Sequence, residues 1–245
     1  MKKALSALLL SFVIATPAMA QTTFLLPALQ DDFKKFSTDL GLAISYTPLS
    51  PAAPLGGLLP GFDAGVEVTA VKIDKTASYW RSSVTDPNVL PDYLYIPKIH
   101  IQVGLPVIPL DLGVVYASVP GTDAKLMGGE LKYAIIKGGV AMPAVAIRGA
   151  YTKLSGIDVF EMETKSLDLS ISKGFLIFTP YAGVGQVWIT STPIGLTAIL
   201  LKKEEISETK GFVGAKLTFF PFLNLVAEAG FAKVNLYSLR LNLHF

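Results

Sequence analysis

The nine residues YSLRLNLHF at 237–245 alternate without a break. Tyr237, Leu239, Leu241, Leu243 and Phe245 fall on one face of a strand, and Ser238, Arg240, Asn242 and His244 on the other. Period two is the signature of a strand with one apolar and one polar side. The segment before it repeats the pattern, with Leu223, Leu225, Ala227, Ala229 and Phe231 set against Asn224, Glu228 and Gly230. Further back, Leu167, Leu169 and Ile171 oppose Ser166, Asp168, Ser170 and Ser172. Met127, Leu131, Tyr133 and Ile135 oppose Gly128, Glu130, Lys132 and Ala134, and Ile99, Ile101 and Val103 oppose Lys98, His100 and Gln102.

Such segments are read at 38–47, 61–73, 95–104, 110–118, 124–137, 143–153, 158–172, 178–190, 210–219, 222–232 and 235–245. Most are close to the ~9–11 residues with which a tilted strand crosses a bilayer. Prolines stand at strand openings (Pro97, Pro143, Pro180) or in turns (Pro48, Pro106, Pro109, Pro221), where a missing N–H does least harm.

The 245-residue chain is 51% hydrophobic and only 16% charged, which excludes intrinsic disorder. It has no Cys, hence no disulfide framework, thiol nucleophile or thiolate metal site. Residues 1–20, MKKALSALLLSFVIATPAMA, read as a cleaved secretory signal: Lys2 and Lys3, then an apolar run, then Ala18-Met19-Ala20. Of the 21 basic residues two lie in that leader, which leaves 19 against 19 acidic ones and no electrostatic footprint for nucleic acid. Beyond residue 20 no apolar run reaches the ~18 residues of a spanning helix.

Alternation alone fits a soluble barrel as well as a membrane barrel, and the two differ in which face is outside. A soluble exterior needs charge, whereas the polar positions here are largely Gly, Ser, Thr and Ala. Aromatics gather at segment ends as interfacial girdles do: Phe219, Phe220 and Phe222, then Phe175, Phe178 and Tyr181, with Tyr46, Tyr116 and Tyr151. The expected fold is therefore all-β, a transmembrane antiparallel up-and-down β-barrel of about 10–12 strands at 37–245, in the outer membrane of a Gram-negative bacterium. A periplasmic lipocalin-like barrel or sandwich is the alternative.

The terminal YSLRLNLHF resembles the assembly signal of bacterial outer-membrane barrels, carried here by Tyr237, Leu239, Leu241, Leu243 and Phe245. That resemblance implies the barrel-assembly machinery as a partner, beside outer-membrane lipid. Longer stretches resemble a little-characterised family of proteobacterial outer-membrane β-barrel proteins. They are GFDAGVEVTA (61–70), YIPKIHIQVGLP (95–106), GGELKYAIIKGGVAMPAVAIRGAYTKLSGID (128–158), LDLSISKGF (167–175), TPYAGVGQVW (179–188) and ETKGFVGAKL (208–217). The likeness implies fold and location and carries no activity.

With Phe245 on the periplasmic side, the turns near 105–109, 138–142, 173–177 and 219–222 fall there and are short. The connections at 74–94, 118–124, 153–158 and 190–209 face outward. Eleven strands would start the first one outside, so residues 21–36 are expected to plug or cross the lumen, or to form a short helix, unless a strand is miscounted. Inward positions include Asp63, Glu67, Asp111, Glu130, Asp168 and Glu228, against Lys98, Lys132, Arg148, Lys216 and Arg240, with His100 beside them. Mixed signs that pair across a small barrel predict a narrow or blocked pore rather than an ion-selective ring.

Neither His100 nor His244 is placed for a rim triad, and two histidines with so few companions do not make a metal site. No catalytic, cofactor or metal residue is expected. The leading expectation is a narrow or plugged channel or transporter for a small-molecule solute, or a structural envelope protein. A surface-binding protein using loops 74–94 (with Tyr79 and Trp80) and 190–209 is one alternative. Uptake of hydrophobic compounds past an N-terminal plug is another, and it requires apolar density in the lumen and a lateral gap in the wall.

Overall fold

In the computed structural model, which describes residues 25–119 and 122–245, ten antiparallel strands close into one barrel. The leader read at 1–20 lies outside the described residues. The strands are β1 (Gly61–Lys72), β2 (Tyr93–Gly104), β3 (Leu110–Ser118), β4 (Lys125–Lys137), β5 (Ala144–Ser155), β6 (Phe160–Ser172), β7 (Phe178–Pro193), β8 (Glu204–Phe220), β9 (Leu223–Phe231) and β10 (Asn235–His244). Each pairs with its sequence neighbours, and β1 closes on β10 from Asp63↔His244 to Val71↔Leu236. Reciprocal backbone bonds between Phe62 and Phe245 extend that seam to the last residue. Closure leaves no free sheet edge, the condition for strands to stand in lipid.

Alternation resolves into an outer and an inner surface. Tyr237, Leu239, Leu243 and Phe245 are exposed on β10, as are Leu167, Leu169 and Ile171 on β6 and Met127, Leu131, Tyr133 and Ile135 on β4. From Tyr237 to Phe245 the strand rises ~27 Å at ~3.4 Å per residue. Tilted by ~40°, that is ~20 Å of height, and aromatic rows complete the ~25 Å apolar band of a membrane barrel. One row, at the end carrying Phe245, includes Phe62, Phe175, Phe178, Phe219, Phe220 and Phe222, all exposed. The other includes Tyr95, Tyr116, Tyr151, Trp188, Phe231 and Tyr237. Beyond the second row the outward face of β6 turns polar, at Lys165, Glu163 and Glu161. The barrel spans a membrane, and the turns beside Phe245 are the short ones.

Two readings are corrected here. Residues 38–47 are not a strand. A helix, α1 (Gln30–Ile44), occupies 30–44, and β1 is the first strand, so the barrel starts at Gly61 rather than near 37 and the strand number is even. Phe33, Phe36, Leu40 and Ile44 recur at helical spacing, while Asp31 and Asp32 favour the positive end of the helix in its first turn. Every residue from Phe36 to Ile44 is buried because the helix lies inside the cylinder with wall on all sides. Gly41 lets it touch β7, since a Cβ there would sit 2.4 Å from Ile189 Cγ2. The second correction is that Tyr46 and Tyr181 belong to no girdle. Both are buried in the interior, Tyr46 on the chain leaving α1 and Tyr181 on the inward face of β7.

The outer connections hold a short helix α2 (Ser78–Arg81), a 3₁₀ turn (Pro87–Val89) and a short helix α3 (Thr197–Leu200). Much of 190–209 is wall, because β7 runs to Pro193 and β8 starts at Glu204.

Candidate functional site: a plugged lumen

The N-terminal segment enters at the outer mouth and leaves at the opposite end. Leu25 N–H donates to Ser83 O in the outer loop at 2.9 Å, and Gln30 is hydrogen-bonded to Lys202 O and to Glu204. Phe36 packs edge-on against Trp80 and Phe160, at centroid distances of 5.2 and 5.8 Å. Tyr79 O–H (2.9 Å) and Trp80 Nε1–H (3.0 Å) both donate to Asp39 Oδ2. Burial, and then the Asp39 carboxylate, push the Tyr79 phenol above its usual range. Trp80 is buried against α1, so it is not a side chain that the 74–94 loop offers to an external ligand.

Below α1 the chain loses regular structure, and 45–60 descends through the barrel. Its peptide groups bond to wall side chains in place of a strand ladder. Ile44 O accepts from Thr152 (3.0 Å), Tyr46 O from Lys210 (2.9 Å), Leu49 O from Arg240 (3.4 Å), and Pro51 O and Ala53 O from Lys132 (2.9 and 3.2 Å). In the other sense, Leu49 N–H donates to Glu228 (3.0 Å), Ala53 N–H to Ser172 (3.3 Å) and Leu55 N–H to both oxygens of Asp111 (3.0 Å). Buried peptide groups need partners, and an irregular chain needs both donors and acceptors. That is a physical reason for the lumen to carry both signs of charge.

The wall groups also pair with one another. Arg148 Nε lies 2.8 Å from Glu130, its Nη1 lies 3.8 Å from Asp168, and its Nη2 donates to Ser50 Oγ at 3.2 Å. Lys132 holds Asp111 at 2.9 Å, Lys98 holds Glu67 at 2.8 Å, and Arg240 pairs with Asp63, which also accepts from Asn242. His100 is hydrogen-bonded at both ring nitrogens, Nδ1 to Glu67 Oε2 (2.8 Å) and Nε2 to the Tyr46 phenol oxygen (2.7 Å). Tyr181 O–H donates to Glu228 at 2.8 Å. Where a carboxylate–histidine pair could serve chemistry elsewhere, here a phenol of the plug caps it.

Asp63, Glu67, Lys98, His100, Asp111, Glu130, Lys132, Arg148, Asp168, Glu228 and Arg240 are all buried and face inward. Lys216 faces inward too, half-buried beside a polar pocket of about 210 Å³ at the inner mouth, with Asp63, Asn242 and His244 in the same lining. Among the described residues Lys216 forms no ion pair, and no cluster of three or more His, Asp or Glu side chains could hold a metal. Lys210 escaped the sequence reading. It shares its parity with Lys216 on β8, but it stood at the first position of the segment read there, whereas the strand begins at Glu204.

At the inner mouth the plug lies directly on the wall. A Cβ at Gly104 would sit 2.1 Å from the amide nitrogen of Gly56, so only glycine permits this passage. Gly104→Val should displace Leu55 and Gly56 and break the bonds to Asp111. Hydrogen exchange at the Leu55 amide is expected to rise at least ~10-fold, the effect of ~1.4 kcal/mol. An unchanged rate would mean that the close approach holds nothing in place.

One seam of the wall is incomplete. Pairing of β2 with β3 runs from Ile99↔Tyr116 to Gly104↔Asp111, and among the described residues 93–98 of β2 have no strand partner on that side. Pro97, which has no N–H, stands in that stretch.

No protein-family model matches the chain, and no curated protein matches it in sequence, so what stands of the family resemblance is the barrel architecture. Several solved structures are similar to it. The N-terminal β-barrel domain of Pseudomonas aeruginosa OprF is 14% identical, over 75% of this chain and 97% of that one, with a TM-score of 0.36. Ail, the attachment invasion locus protein of Yersinia pestis, crystallised with the heparin analogue sucrose octasulfate, is 12% identical over 76% and 97%, TM-score 0.30. Neisserial surface protein A is 8% identical over 76% and 95%, TM-score 0.32. The fold rests on the strand pairing, and the membrane on the apolar belt.

Proposed function

We propose that this is an outer-membrane barrel of channel or transporter type, held shut at rest by its own N-terminal segment. The observation that carries the reading is the ladder of hydrogen bonds between the backbone of 44–55 and side chains from seven of the ten strands. A purely structural barrel needs only a packed interior. Here every anchor is a side chain that could solvate an ion or a polar solute once the segment moved aside. The wall then presents six carboxylates (Asp63, Glu67, Asp111, Glu130, Asp168, Glu228) and six cations (Lys98, Lys132, Arg148, Lys210, Lys216, Arg240). Balanced charge favours neither ion sign.

In planar bilayers the intact protein is expected to be silent. Removing residues 25–56 should give stepwise conductance with weak selectivity. Steady conduction by the intact protein would overturn the reading, as would silence from a truncated barrel that still shows the heat-dependent gel mobility of a folded one.

The assembly machinery is the proposed reader of Tyr237, Leu239, Leu241, Leu243 and Phe245, which lie on the outward face of β10. Deleting Phe245 also removes both backbone bonds to Phe62. The fraction of expressed protein with heat-dependent mobility should fall severalfold. If export and assembly are unchanged, the terminal strand is not the signal.

A further inference from the structure

The unpaired stretch of β2 borders a pocket of about 120 Å³ whose lining is almost wholly apolar. Leu94 and Ile96 reach it from the inner face of β2, Tyr95 and Pro97 from the outer face, and Ala117 to Val119 from across the seam. Its floor is Leu40 and Ile44 of α1, and Leu126 and Leu154 close its inner wall. The pocket therefore passes through the barrel wall rather than lying on either side of it.

We infer that this seam is a lateral binding site for a small hydrocarbon-like molecule about one aromatic ring in size. Three observations support that occupant. No charged side chain lines the pocket, and its lining is almost wholly apolar. Its volume approaches the ~150 Å³ of an apolar cavity that takes up benzene. Its lining reaches the outer face of the barrel at Tyr95 and Pro97, beside the exposed apolar belt where hydrocarbon-like molecules concentrate. A bound molecule would touch Leu40 and Ile44, and Ile44 O is a hydrogen-bonded anchor of the plug. Occupancy is thus read directly by the segment that blocks the lumen.

This inference rests on the plugged-barrel reading, and its test has a separate readout. The full chain, isotope-labelled at Leu and Ile methyls, is placed in lipid bicelles and titrated with toluene. Saturable shifts of the Leu40 and Ile44 methyl signals are expected, with those of Leu167 and Leu169 on the lipid face moving only linearly. Ala117→Trp fills the pocket and should weaken the saturable binding at least tenfold. Where that variant does not assemble, Ala124→Trp fills the same space from the loop. Linear shifts throughout, or equal binding by the filled variant, would overturn the site while leaving the conductance result untouched. Contacts between lipid-chain protons and the Leu40 methyls before any toluene is added would also overturn it, by showing the pocket to be a berth for membrane lipid.

Discussion

Replacing Arg148 with methionine should destabilise the barrel by about 3–5 kcal/mol, the usual cost of removing one partner of a buried ion pair. Arg148 is 1% exposed and ties two carboxylates, Glu130 and Asp168, to the plug hydroxyl of Ser50. Methionine fills much of the space but offers no donor, so two neighbouring anions are left in a low-dielectric interior. The penalty belongs to the stranded charges rather than to a strong native bond, because desolvation offsets most of what a buried pair gains. The triple variant Arg148→Met, Glu130→Gln, Asp168→Asn should therefore recover most of the loss, since both sides of the interaction are then neutral. Urea-unfolding midpoints of the refolded proteins in vesicles measure this. If the single and triple variants lose the same stability, Arg148 acts through packing alone and the electrostatic account of the lumen fails. The single variant should also flicker open in planar bilayers, because Ser50 has lost its clamp.

The same groups show what one sequence could and could not reveal. Lipid on one side and a polar lumen on the other impose period two on every strand, so Leu167, Leu169 and Ile171 announced their face without any tertiary knowledge. Asp168 and Arg148 were legible for the same reason, as the charged members of an alternating row. Inside the cylinder that rule lapses. Leu40, Leu42, Ile44 and Tyr46 alternate as well as any strand, yet they sit on a helix and its tail with wall on every side, where burial leaves no face to read. Phe33 and Phe36, outside the window read as a strand, carried the helical period that decided the matter. Tyr181 was placed in a girdle because aromatics cluster near Phe178, but its even-numbered partners on β8, Phe212 and Gly214, face inward. What pairs with what across the lumen was not legible, because it depends on register and on a plug whose path no local pattern encodes.

Trp80→Ala is expected to release the outer end of the plug while leaving the barrel folded. Trp80 is fully enclosed, it packs edge-on against Phe36, and its indole donates to Asp39. Truncating a buried Trp costs about 3–5 kcal/mol through lost burial and the cavity left behind. Asp39 loses one of two donors as well, and the two losses share a site, so they do not add. Because Trp80 joins a loop to a helix rather than strand to strand, the cost falls on local docking of α1. About 3 kcal/mol makes the undocked state more than ~100-fold more populated. Trypsin should then cut after Lys34 or Lys35 about 100-fold faster, since slow cleavage of a rapidly reclosing segment tracks the open population. Trp80→Phe keeps the edge-on contact but not the donor and should fall between. Trp188→Ala removes the same side chain from the lipid face and should leave cleavage unchanged. Equal cleavage of the Trp80→Ala and native proteins would mean that α1 is held chiefly by the wall. The latch would then lie lower, at Lys210, Arg240 and Lys132, and opening would have to begin from the end that carries Phe245.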